Sequence, residues 1–131
     1  MSTVLALSSQ VARGHVGLSA VVPALQALGH EVIALPTVLL SNHPGHPHVA
    51  GRRIEPDDLE RMLDALGAGG WLGEVDAVLS GYLPTRAHVG VAARLIERLR
   101  RHAPNLLYLC DPVLGDDPKG LYLDEAAAQA I

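Results

Sequence analysis

Residues 108–120 read Y-L-C-D-P-V-L-G-D-D-P-K-G, so Asp111 directly follows the apolar run Leu106 to Cys110, and Asp116 and Asp117 lie a few residues on. Such a run suits a buried strand, and Pro112, which has no amide hydrogen to give, stops its ladder. Asp111 is therefore expected at the carboxyl end of a strand, the edge on which an open α/β sheet binds its ligands. The loop that follows carries Gly115 and Gly120, which permit tight turns. Grouped carboxylates such as Asp111 and Asp116 suit magnesium, which prefers oxygen ligands and keeps waters for phosphates to replace. The plainer alternative is that Asp-Pro merely starts a turn and that exposed aspartates are common.

Other candidate groups are weaker. His43, His46 and His48 stand among prolines in one segment and have the ligand type for zinc, yet such a site needs a rigid frame and a fourth position. A lid carrying solvated histidines is the competing reading. Gly14 and Gly17 precede a helical pattern and could cradle a phosphate, but their spacing matches neither dinucleotide fingerprint nor P-loop, which leaves close helix packing as the alternative. Cys110 lies within an apolar strand and reads as inert core. Nothing marks a nucleophile elbow or a glycine-rich oxyanion hole, so no serine triad is assigned.

The elements that must hold these residues alternate along the chain. Thr3 to Leu7 is a first strand, followed by a loop with Ser8, Ser9 and Gly14. Apolar residues 18, 21, 22, 25 and 28 follow helical spacing up to Gly29, with Pro23 expected to bend that helix or shift its start. Val32 to Leu35 is a second strand that Pro36 is expected to end. Residues 36–53 hold three prolines, two glycines and three histidines without a period and read as a long exposed flap, at about 37–54. Pro56-Asp57-Asp58 opens a helix whose buried stripe is expected at Leu59, Met62, Leu63 and Leu66. Val75 to Ser80 is a third strand with the exit loop Gly81 to Pro84. Thr85 caps a helix to about His102, expected to turn Val89, Ala92, Ala93, Ile96 and Leu99 inward. Leu106 to Cys110 is the fourth strand. Asp124 starts a further helix that runs only to Ile131, and the chain reads as cut there.

Four alternations of this kind predict an α/β fold with a parallel sheet covered by helices on both faces. The 131 residues suffice for one core, and 49% hydrophobic with 18% charged residues is ordinary for a soluble domain. A net charge of -4 and four aromatic residues, Trp71, Tyr82, Tyr108 and Tyr122, argue against a nucleic-acid surface. A lone cysteine excludes a disulfide framework, and the amino terminus lacks a basic flank and an apolar run of membrane length. A cytoplasmic protein without a membrane partner is expected.

Four stretches in order, V-L-A-L-S-S-Q-V-A-R-G-H-V-G-L-S-A, T-V-L-L-S-N-H, L-S-G-Y-L and C-D-P-V-L-G-D-D-P-K-G-L-Y, resemble the pyridoxal kinases of the ribokinase-like superfamily. The resemblance implies a three-layer α/β/α domain with a mostly parallel sheet, of which residues 1–131 are the amino-terminal part. It implies ATP-dependent phosphorylation of the 5′ hydroxymethyl group of pyridoxal, pyridoxine or pyridoxamine, with magnesium, often a monovalent cation such as potassium, and a homodimer. By the same resemblance Ser9 hydrogen-bonds the vitamer ring, Val16, Val38 and Leu40 pack around it, and Tyr82 covers it. Asp111 and Asp116 match the acids near the nucleotide phosphates and cations, and Tyr122 matches a residue beside ATP. Pro44 stands where the family usually has a substrate-contacting threonine, and it cannot make that hydrogen bond. The family's glycine-rich anion hole and its general-base aspartate lie in a segment expected beyond residue 131, so no catalytic base is assigned here and these residues alone are not expected to turn over. Related hydroxymethylpyrimidine kinases share the fold and an Asp-Pro-Val stretch, whereas Ser-Asn-His and Ser-Gly-Tyr-Leu favour pyridoxal. A non-catalytic vitamer-binding or dimerisation remnant is the alternative from another class.

Overall fold

The computed structural model describes residues 1–117 and 119–131. Its centre is a five-stranded sheet in the order β3-β2-β1-β4-β5, built from β1 (Thr3–Val11), β2 (Glu31–Leu40), β3 (Gly51–Arg53), β4 (Ala77–Ser80) and β5 (Leu107–Cys110). β2, β1, β4 and β5 run parallel, and β3 pairs antiparallel with the end of β2. A β6–β7 hairpin (Gly115–Asp116 and Gly120–Leu121) follows the sheet.

Alternation along β1 sorts its side chains between two layers. Leu5 and Leu7 join Leu35, Val78 and Leu106 in the core beneath α2 (Pro56–Ala68) and α3 (Arg86–Arg100). On the other face α1 (Leu18–Ala27), none of whose residues enters that core, packs against β1 and β2. The expected helix-sheet-helix layering is therefore present. Leu59 and Leu63 of α2 are almost wholly buried, each worth about 1.5–3 kcal/mol relative to exposure. Pro56 sits in the first turn of α2 and Asp57 and Asp58 complement the amino-terminal dipole there. Pro23 does lie inside α1, and that helix nonetheless spans it.

Several expectations need correction. β1 continues past Leu7 to Val11, and β2 continues past Pro36 to Leu40. From Glu31 to Pro36, β2 has a strand on one side only, β1, and a strand with one open side tolerates proline. The long irregular segment accordingly shrinks to residues 41–50, between β2 and β3. Met62 of α2 is 37% exposed; on α3 Ala92, Ile96 and Leu99 are buried and Val89 packs partly buried on the core as expected, whereas Ala93 is exposed and His88, Val91 and Leu95 complete the stripe. β4 begins at Ala77, after a 3-10 turn over Trp71–Glu74. β5 is an edge strand, and its Leu107 and Leu109 are 67% and 60% exposed rather than buried. α4 (Glu125–Ala130) packs on α3. Among the described residues no helix is long and apolar enough to cross a membrane.

Candidate functional site

In this sheet β1 is followed by β2 on one side and flanked by β4 on the other, so the order reverses between β1 and β4. A crevice forms at the carboxyl ends of strands at such a reversal. Hydrogen bonds stitch the strand exits together there. The Gly81 amide donates to the Leu7 carbonyl at 2.7 Å and the Asp111 amide to the Ser80 carbonyl at 2.8 Å. The buried Ser8 hydroxyl accepts the Tyr82 amide at 3.1 Å. Ser9, Tyr82 and Asp111, from three separate segments, thus share one sheet edge.

Ser9 falls where the β1 to β2 register slips, between Ser8 and Gln10. It is pressed against Gly17, the residue before α1, where a Cβ would collide with the Ser9 carbonyl oxygen and hydroxyl. Gly17 has φ 55 and ψ -135, a conformation open to glycine alone. Glycine here serves a close approach of helix start to strand end, the packing alternative of the sequence reading. Ser19 Oγ donates to the Val11 carbonyl at 2.7 Å and holds the same junction.

The residues expected around the vitamer ring differ in burial. Val38 is buried in β2, Leu40 half-buried at its end, Val16 exposed in the loop before α1, and Pro44 exposed in the flap. Tyr82 is half-buried, and its hydroxyl donates to the Tyr122 carbonyl at 2.7 Å, which joins the β4 exit to the segment after β7. Burial pushes the Tyr82 phenol above its ordinary 10.0; Arg53 draws it down and Asp124 raises it. Both charges are felt at that hydroxyl.

Asp111 and Asp116 are both exposed, the first just past β5 and the second within the β6–β7 hairpin. The Tyr122 phenol is raised above 10.0 chiefly by its interaction with the Asp116 carboxylate. Those two residues, both expected beside ATP, are therefore neighbours. Their carboxylates are hard oxygen donors, the type magnesium takes, but among the described residues no three His, Cys, Asp or Glu side chains gather into a metal-holding group. A magnesium ion here would depend on phosphate oxygens and water for its other ligands. His43 Nδ1 accepts the Gly45 amide at 3.0 Å, and the His43 and His46 rings stand 6.5 Å apart edge to face.

Three residues of this region escaped the sequence reading. Ser8, expected in a loop, lies in β1, is 6% exposed and anchors the Tyr82 amide. Thr37 is fully buried, and its hydroxyl donates to the Tyr82 carbonyl at 2.6 Å. Arg53 is paired with Val38 across β2 and β3 and acts electrostatically on Tyr82. A polar residue inside an apolar strand is the only signal that marked the first two.

The chain is 42% identical over 127 residues to a pyridoxine/pyridoxal/pyridoxamine kinase of Bordetella avium, covering 97% of this chain and 43% of that protein. The structure of a pyridoxal kinase from Leishmania donovani in complex with ADP and pyridoxamine superimposes with a TM-score of 0.92 at 34% identity, over 98% of this chain and 46% of that one. A putative phosphomethylpyrimidine kinase from Bacteroides thetaiotaomicron superimposes with a TM-score of 0.86 at 27% identity, over 98% and 43%. No family model matches the chain. The chain spans less than half the length of these relatives.

Proposed function

The chain is homologous to pyridoxal kinases over nearly its whole length, and on that premise we propose that the protein carrying it transfers the γ-phosphate of ATP to the 5′ hydroxyl of a B6 vitamer. The observation that carries this reading is the meeting of Ser9, Tyr82 and Asp111 along one sheet edge at the β1–β4 reversal. Phosphoryl transfer rests on positioning and charge stabilisation rather than on covalent chemistry by the protein. What these residues contribute is binding. Ser9 holds the ring by hydrogen bonding, Val16, Val38 and Leu40 wall it, and Tyr82 covers it. Pro44 lends shape to the flap but no donor. Asp111, Asp116 and Tyr122 flank the nucleotide phosphates, and magnesium bound with ATP supplies charge neutralisation there.

Within residues 1–131 no residue is assigned as general base. The apolar, exposed side of β5 supports their being one part of a larger domain. Family likeness adds potassium as a second cation, a homodimer and a cytoplasmic location to the proposal. A hydroxymethylpyrimidine kinase is the second reading, favoured by the likeness to the phosphomethylpyrimidine kinase structure.

The test is to purify the gene product carrying these residues and follow ATP-dependent formation of pyridoxal 5′-phosphate, with hydroxymethylpyrimidine as the competing acceptor. Phosphorylation of pyridoxal is expected to dominate. Turnover of the pyrimidine alone would replace the reading, and turnover of neither would refute it.

A further inference from the structure

His88 is 1% exposed in the first turn of α3 and takes no part in the chemistry proposed above. Its Nε2 lies 2.7 Å from the Ile54 carbonyl, and its Nδ1 lies 2.6 Å from the Thr85 hydroxyl. Because a carbonyl only accepts, Nε2 carries the hydrogen and Nδ1 accepts the threonine proton. Ile54 immediately follows β3, the strand by which the flap returns. Its own amide donates to the Thr37 carbonyl at 2.9 Å. The Thr37 hydroxyl then donates to the Tyr82 carbonyl at 2.6 Å, and the Tyr82 amide donates to Ser8 Oγ at 3.1 Å. One line of partly buried hydrogen bonds thus runs from the start of α3, through the flap root, to the loop carrying Tyr82 and on to β1.

Among the described residues no buried side-chain nitrogen or oxygen lacks a partner. Of the four buried polar side chains there, Ser8, Thr37, Ser80 and His88, three belong to this line. A satisfied network in a low-dielectric interior is rigid, and breaking one member leaves another unpaired. Two of the chain segments that the line joins carry residues of the proposed vitamer pocket: Val38 follows Thr37, and Tyr82 lies between its two links.

We propose that His88 and Thr37 are positioning residues, a buried clamp that holds the flap root against the Tyr82 loop and so sets affinity for the vitamer ring without touching it. The substrate in this statement rests on the pyridoxal reading; the clamp itself does not.

The experiment uses three variants of the gene product. His88→Leu removes both ring hydrogen bonds, Thr37→Val removes the hydroxyl at nearly constant volume, and His88→Gln restores one donor and one acceptor. Loss of a buried bond that leaves its partner unpaired corresponds to roughly a tenfold effect or somewhat more. His88→Leu and Thr37→Val should therefore raise the pyridoxal KM about tenfold, leave the ATP KM within about twofold, and speed hydrogen exchange of residues 41–54 by about tenfold. His88→Gln should recover most of both effects. Unchanged flap exchange in Thr37→Val overturns the clamp, as does an equal rise in both KM values without rescue by glutamine. Should His88→Leu not fold, Thr37→Val and His88→Gln decide the question. If the unaltered protein phosphorylates no vitamer, the activity reading falls while flap exchange still judges the clamp.

Discussion

Replacing Gly17 with alanine probes the junction on which the vitamer side of the proposed site depends. The residue holds φ 55 and ψ -135, a region that costs a non-glycine residue about 1–3 kcal/mol. The new methyl would also run into the Ser9 carbonyl oxygen and hydroxyl, and such overpacking costs about 1–3 kcal/mol more. Together the loss is about 2–6 kcal/mol, a large part of the roughly 5–15 kcal/mol that holds a typical domain folded. Gly29→Ala is the internal control. Gly29 has φ 86 with nothing within 4 Å of an added Cβ, so it suffers only the conformational cost, about 1–2 kcal/mol. Urea unfolding of both variants of the gene product should show Gly17→Ala to be the less stable by about 1 kcal/mol or more. Because relief of the clash displaces Ser9, Gly17→Ala should also raise the pyridoxal KM while Gly29→Ala does not. Equal destabilisation with equal pyridoxal KM would refute the tight contact between Gly17 and Ser9.

Further expectations concern the polar groups of the same edge. Ser8→Ala leaves the Tyr82 amide without its acceptor and should cost about 1–3 kcal/mol in urea unfolding; an unchanged midpoint would contradict that bond. All three tyrosines have phenols raised above the ordinary 10.0, Tyr82 and Tyr108 chiefly by burial and Tyr122 chiefly by Asp116. The unfolded chain therefore loses these protons first, and stability should be intact below about pH 10 and fall as pH rises through the folded values. Ultraviolet titration of tyrosinate checks this, and a phenol ionising below its ordinary value would contradict it. In Asp116→Asn one of the three phenols should move down, and no movement would separate Tyr122 from Asp116.

Much of this architecture was legible because it depends on local chemistry. Asp-Pro after an apolar run marked the end of β5, Thr85 marked the start of α3, and repeated alternation gave the parallel sheet. The errors arise where tertiary context outweighs local signals. Pro36 lies within β2 because that stretch is paired on one side only, a fact of sheet order that no proline reveals. The stripe on α3 was read without His88 because histidine counts as polar in a sequence, yet two hydrogen bonds satisfy its ring and allow its burial. Ser8 and Thr37 were passed over for the same reason. Leu107 and Leu109 looked like core because an apolar run does not say whether both faces of its strand are covered. The candidate site residues come from motif resemblance, whereas the bonds that join their segments needed coordinates.

The most direct test of the shared edge is hydrogen exchange on the gene product with and without pyridoxal and a non-hydrolysable ATP analogue. Protection is predicted in the segments containing Ser9, the flap from Ser41 to Ala50, Tyr82, and Asp111 to Asp116. Protection confined to the opposite end of the sheet, around Thr3, Glu31 and Trp71, would contradict it.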